Sequence, residues 1–146
     1  MSLSESHTVL VVDDNPDLLE FLSMNLRHFG PFSVVGAANG IDGLEQAMKL
    51  RPACVVIDVK MPGLNGYQLA LTLRGDTATA DIPLVILTAL AQDKEQFIGM
   101  ASGADRYLIK PVTPQDLAQV IEEVITITKA ERVQRLNQLI DDKAFD

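Results

Sequence analysis

The stretch that decides the fold is Val55-Val56-Ile57-Asp58-Val59-Lys60-Met61-Pro62-Gly63. Three β-branched residues run straight into a carboxylate, and the chain breaks at Met61-Pro62-Gly63. A short apolar run bounded by turn residues reads as a strand buried on both faces. An Asp at its end sits at the mouth of a sheet, half dry and half wet. In open α/β sheets, ligand chemistry gathers at the carboxyl ends of strands. Asp58 is therefore expected to be the working residue.

Outward from this stretch, the same unit repeats. Thr8-Val9-Leu10-Val11-Val12 is a second apolar run, and it ends in Asp13-Asp14. Asn15-Pro16 then reads as an N-cap followed by Pro at the first helical position. Leu18, Leu22, Leu26 and Phe29 keep helical spacing up to Gly30. Ser33 to Ala38 is a weaker strand. A helix follows Asn39-Gly40, with Ile41, Leu44, Ala47 and Met48 on one face, and Arg51-Pro52 closes it. Beyond the central stretch, Gly66 to Arg74 reads as a helix carrying Leu69, Ala70 and Leu73. Pro83 to Leu87 is a strand that ends at Thr88-Ala89. A helix is expected at about 93–102, capped by Gly103. Arg106 to Ile109 is the last strand and ends at Lys110-Pro111. Thr113-Pro114 opens the final helix. Strands alternating with helices predict βαβ units and a parallel sheet covered on both faces.

The totals agree. A chain of 146 residues with 47% hydrophobic residues holds a real core. Aromatics are only 5% and Trp is absent, so that core is Val, Ile, Leu and Ala. A net charge of −8, from 20 acids and 12 bases, argues against direct nucleic-acid binding, which needs a basic patch. The lone Cys54 lies inside an apolar run and reads as buried and inert. A single thiol, no signal-peptide pattern and no membrane-spanning stretch together predict a cytoplasmic protein away from membranes. Residues 1–7 read as a disordered lead or a cloning scar.

The last segment is ambiguous. No Pro or Gly interrupts residues 115–146, but Ile125-Thr126-Ile127-Thr128 is β-branched and weakens a helix. Val133, Leu136 and Ile140 then restore an apolar stripe. Two readings stand: a domain-closing helix with a frayed tail, or a helix that leaves to meet a partner or feed an output module. Residues 129–146 are assigned as a helical extension.

A parallel sheet brings all strand C-termini to one edge. That edge collects Asp13 and Asp14, Asp58, Thr88 and Lys110. Three carboxylates together repel and need a cation. Hard oxygen ligands with retained waters suit Mg²⁺. A carboxylate, a divalent cation, a lysine and a hydroxyl are the parts of a phosphoryl-transfer site. Asp13-Asp14 as plain helix caps, and Asp58 as a turn residue, are the bland alternatives; they explain the joint placement at four strand ends poorly.

These motifs resemble the receiver domain of two-component response regulators, the CheY-like family. Val11-Val12-Asp13-Asp14-Asn15 is similar to its acidic pair. Ile57-Asp58-Val59-Lys60-Met61-Pro62-Gly63-Leu64-Asn65-Gly66 is similar to its phosphoacceptor loop. Leu87-Thr88-Ala89 resembles its hydroxyl position, and Tyr107-Leu108-Ile109-Lys110-Pro111 its switch aromatic and lysine-proline pair. The likeness covers about residues 7–128. It implies a flavodoxin-like (βα)5 doubly wound five-stranded parallel sheet in the order 2-1-3-4-5, with the receiver at residues 8–128.

The resemblance also implies roles. Asp58 takes a phosphoryl group from a histidine kinase or histidine phosphotransfer protein. Asp13, Asp14, Asp58 and the backbone carbonyl of Lys60 hold Mg²⁺. Lys110 bridges to the phosphoryl group, and its bond to Pro111 is expected cis. Thr88 and Tyr107 relay the change to the face made by the helix at 93–102, the fifth strand and the helix from Pro114. Tyr107 read without the resemblance is a half-buried strand aromatic. Lys60 and Leu90 would flank the path of the attacking water, and Leu90 would shield the acyl phosphate. The output would be a downstream protein or a fused domain, and dimerisation is left open. The slow loss of phosphate makes this a switch and not a turnover enzyme. Three other readings are weighed. A Mg²⁺-dependent aspartyl-phosphate phosphatase of haloacid-dehalogenase type wants a second Asp where Lys60 stands. A flavin-mononucleotide binder wants a phosphate loop where Asp13-Asp14-Asn15-Pro16-Asp17 would repel one. A phosphate-independent interaction module uses the fold alone.

Overall fold

The computed structural model describes residues 7–89, 101–127 and 129–144. Most of the helix expected at 93–102, Leu90 and residues 1–6 lie outside the described residues. Five parallel strands are present: β1 His7–Val12, β2 Phe32–Ala37, β3 Cys54–Asp58, β4 Leu84–Thr88 and β5 Arg106–Ile109. They stand in the order β2-β1-β3-β4-β5. The helices between and after them are α1 Pro16–Asn25, α2 Gly40–Leu50, α3 Gly66–Gly75, α4 Pro114–Ile125 and α5 Lys129–Ala144. This is the flavodoxin-like doubly wound sheet.

The continuous apolar runs have a physical reason, because each strand feeds two cores. Leu10, Val12, Val55, Ile57, Leu84 and Ile86 face the side covered by α2 and α3. Val9, Val11, Cys54, Val56, Val85 and Leu87 face α1 and α4, against Leu22, Leu26, Leu117 and Ile121. Side chains alternate faces at every residue, so burial on both sides demands an apolar residue at each position. Cys54 is fully buried, and burial pushes its thiol far above the ordinary range.

The caps fall where expected. The Asn15 side chain accepts from the backbone N–H of Asp17 and Leu18. Thr113 accepts from Asp116 N at 3.0 Å. Asn65 and Gln68 form a reciprocal capping box at α3.

The structure corrects two helix faces. On α2 the buried positions are Gly40, Gly43 and Ala47, whereas Ile41 is 56% and Met48 43% exposed. The reason is close approach. A Cβ on Gly43 would lie 2.8 Å from Val12 Cγ2 and 3.3 Å from Leu69 Cδ2, so the helix seats on its smallest residues. On α1 the buried positions are Leu22 and Leu26. The helix tightens to a 3-10 turn over Leu26–Phe29, which carries Phe29 off the buried face.

The last segment differs from both readings offered for it. α4 stops at Ile125, where Thr126 N donates back to Glu123 O and Val124 O. The break falls in the β-branched run. α5 then turns back onto the domain, where Arg132 Nε donates to Asp105 Oδ1 at 2.6 Å.

Gly43→Ala is expected to lower stability in urea unfolding by about 1–3 kcal/mol through overpacking. Ile41→Ala, on the exposed side of the same helix, is expected to change it by less than about 0.5 kcal/mol.

Candidate functional site

The site forms where β1, β3, β4 and β5 end together. Backbone pairing sets the alignment. Asp13 N donates to Ala37 O at 3.0 Å, Val59 N to Leu87 O at 3.2 Å, and Lys110 N to Thr88 O at 2.7 Å. These bonds fix Asp13, Asp58, Thr88 and Lys110 at one sheet edge.

Behind Asp58 the chain has little room. A Cβ on Gly66 would lie 2.5 Å from Asp58 O and 2.8 Å from Val59 Cα. Only glycine lets the start of α3 press against the loop this closely. Gly66 N also donates to Val59 O at 3.0 Å, which closes the loop on itself.

The carboxylates of Asp13, Asp14 and Asp58 offer oxygens all within 4.8 Å of one another. Asp13 and Asp58 are buried, and Asp14 is exposed. Lys110 Nζ donates to Asp58 Oδ1 at 2.8 Å and lies 3.7 Å from Asp13 Oδ2. Asn15 N donates to Asp13 Oδ1 at 2.9 Å. Burial lifts the Asp13 carboxyl above its ordinary range, and the charges of Asp58 and Asp14 add to this. The Asn15 N–H and the Lys110 ammonium oppose it without cancelling it. Burial alone would lower the Lys110 ammonium, but the hydrogen bond and charge of Asp58, and then Asp13, raise it overall. Lys110 therefore stays protonated at neutral pH.

The other residues singled out in the sequence, Leu90 apart, also have a place. Thr88 is buried at the end of β4. Tyr107 lies opposite Ile86 on β5 and is half-buried against the core under α2 and α3. The Lys110–Pro111 bond is cis. Lys60 is exposed and lines an open cleft together with Asp14, Met61 and Pro62. Leu90 falls outside the described residues. The three carboxylates offer hard oxygens, a set that can hold a divalent cation such as Mg²⁺.

One charged cluster escaped the sequence reading. Asp105 is buried between the guanidinium groups of Arg74 and Arg132. Its partners come from 27 and 31 residues away, so no local spacing announces them.

Comparison with known proteins agrees with this geometry. The family model for the response regulator receiver domain matches residues 9–122. Protein PilH of Pseudomonas aeruginosa is 38% identical over 117 residues, 80% of this chain and 96% of PilH. The DNA-binding dual master transcriptional regulator RpaA of Synechocystis is 35% identical over 120 residues, which is 82% of this chain but 49% of RpaA. This chain thus spans about half the length of several regulators it matches. A solved receiver domain of a sensor histidine kinase from Pseudomonas aeruginosa superposes with a TM-score of 0.76 at 25% identity, over 84% of this chain and all of that one. That structure has a magnesium ion coordinated in its active-site cleft. The sheet order, the acidic edge and these matches agree, and the chain belongs to the response regulator receiver domain family.

Proposed function

We propose that this chain is a phosphorylation-operated switch in which Asp58 is the phosphoacceptor. The observation that carries the reading is the Lys110 ammonium bonded to Asp58 at 2.8 Å beside two further carboxylates. In that arrangement an Asp58 oxygen forms a bond to phosphorus as the P–N bond of a partner's phosphohistidine breaks. Lys110 then follows the charge onto the phosphoryl oxygens. Asp13, Asp14, Asp58 and the Lys60 carbonyl would hold Mg²⁺, which supplies charge neutralisation at those oxygens. Thr88 donates its hydroxyl to the new phosphoryl group, and Tyr107 moves inward behind it. The altered β5 and α4 face is what a downstream protein or output domain reads.

Residues 8–128 are the switch itself, and 129–146 an extension. Turnover catalysis is disfavoured because Lys60 stands where an aspartyl-phosphate phosphatase would place a second acid. The donor is a histidine kinase or histidine phosphotransfer protein, and the working compartment is the cytoplasm. Among the described residues no helix is long and apolar enough to cross a membrane.

Incubation with acetyl phosphate and Mg²⁺ is expected to add about 80 Da to the intact mass, one phosphoryl group. The gain should vanish in Asp58→Asn and without Mg²⁺. No gain, together with no binding of beryllofluoride, would leave a phosphate-independent interaction module.

The raised Asp13 carboxyl gives a second expectation. The folded, metal-free chain binds this proton more tightly than the unfolded chain does. The contribution of Asp13 to stability therefore falls as pH rises from the ordinary carboxylate range through its raised value. Asp13→Asn is expected to raise the metal-free melting temperature at pH 7.5 and to abolish most of the rise that millimolar Mg²⁺ gives the wild type, roughly 3–6 °C.

A further inference from the structure

The Asp105 cluster lies at the opposite end of β4 and β5 from the site. Asp105 N donates to Leu84 O at 2.8 Å, and Leu84 N donates to Asp105 Oδ2 at 2.9 Å. This one residue therefore ties the first residue of β4 to the start of β5. The same two strands end at Thr88 and Lys110, about 13 Å away at strand rise.

Apart from α5, Asp105 Oδ2 already has two donors, Arg74 and the Leu84 N–H, whereas Oδ1 takes its bond from Arg132. Arg74 NH2 donates to Asp105 Oδ2 at 3.1 Å and neutralises the carboxylate. The other Arg74 nitrogens are held by the carbonyls of Gly103, Ala80 and Ile82. Arg132 adds a second guanidinium. Its Nε donates to Oδ1 at 2.6 Å and its NH2 to Oδ2 at 3.1 Å, a two-pronged grip. Arg135 NH1 reaches the Asp105 carbonyl at 3.4 Å. The Arg132 side chain is only 11% exposed, and that of Asp105 is wholly buried.

Two cations on one buried carboxylate oppose each other. Burial first, and then the charge of Arg132, push the Arg74 guanidinium down to about 10. The grip of α5 is thus strong in geometry and weakened by like charge. It is also dispensable for closing the corner between α3 and β4. Those are the properties of a contact that can open while the domain stays folded.

We propose that α5 is a latch: seated on Asp105 through Arg132, it holds the bases of β4 and β5 in the unphosphorylated arrangement and is released when Asp58 is phosphorylated. The coupling rests on the phosphoacceptor reading above. In the structure Lys110 is bonded to Asp58 itself, so a phosphoryl group there must draw Lys110 and the end of β5 to new positions. A strand is stiff along its length, and its base carries Asp105. In the latch the shift of β5 withdraws Asp105 from the Arg132 fork, and linkage makes the effect reciprocal.

The test uses the full chain and beryllofluoride with Mg²⁺ as the probe. Hydrogen exchange of residues 129–144 reads the latch, and calorimetric titration reads the probe's affinity. Five results are expected. The α5 amides of the wild type are protected without ligand. Arg132→Ala loses that protection while the exchange of β1 and β3 is unchanged. Beryllofluoride lowers α5 protection in the wild type. Arg132→Ala binds beryllofluoride about fivefold more tightly, at the low end of ordinary coupling. Arg132→Lys, which keeps the charge and loses the fork, falls between the two. Unprotected α5 amides in the wild type, or an affinity that Arg132→Ala leaves unchanged, would overturn the latch. A wild type that ignores beryllofluoride would overturn the phosphoacceptor reading and the coupling with it. That failure is distinguishable, because the exchange difference between wild type and Arg132→Ala needs no ligand.

Discussion

Two carboxylates, Asp13 and Asp58, sit almost wholly out of water at one edge of the sheet, and the Lys110 ammonium makes that arrangement tolerable. Burying a charge without a partner costs several kcal/mol, and two like charges side by side cost more. One lysine cannot neutralise three acids. The site is therefore left short of positive charge; burial raises the Asp13 carboxyl, and the charges of Asp58 and Asp14 add to it. An edge with more acids than cations can hold a divalent cation.

The rest of the fold serves that edge. Parallel strands buried on both faces bring their C-termini into line, and backbone pairing across β1, β3, β4 and β5 holds the four ends at fixed heights. Helices on both faces supply the two cores that hold the strands rigid. The glycine at position 66 lets α3 begin directly behind Asp58, so the loop after β3 is backed by helix instead of solvent. At the other end of β4 and β5 lies the remaining buried acid among the described residues, Asp105. The two ends contrast in chemistry. Acids outnumber the one lysine at the site, whereas two guanidinium groups share one carboxylate at the base.

Much of this was legible without coordinates, and for identifiable reasons. Strand runs such as Val9 to Val12 and Val55 to Ile57 carry their burial in every residue. Caps such as Asn15 and Thr113 act within three positions of themselves. The acidic edge with its lysine was legible because parallel topology converts "end of strand" into "same place". The buried faces of α1 and α2 were less so. Periodicity marks apolar residues, but α2 seats on Gly40, Gly43 and Ala47, where small size and not hydropathy decides the contact. Phe29 left its face because a tightening of the helix changes the period partway along.

The sequence alone determined the alternation of strand and helix, the acids at strand ends and the opposed lysine, because each is a property of residues close together or of a repeated pattern. Tertiary structure decided what depends on distant partners. It decided that Arg74 and Arg132 converge on Asp105 and that the helix after Ile125 turns back to the domain instead of leaving it. Those contacts join residues some thirty positions apart in a geometry that no local propensity encodes. They exist only once the sheet has brought the base of β5 within reach of a helix that the β-branched run at 125–128 allowed to reverse.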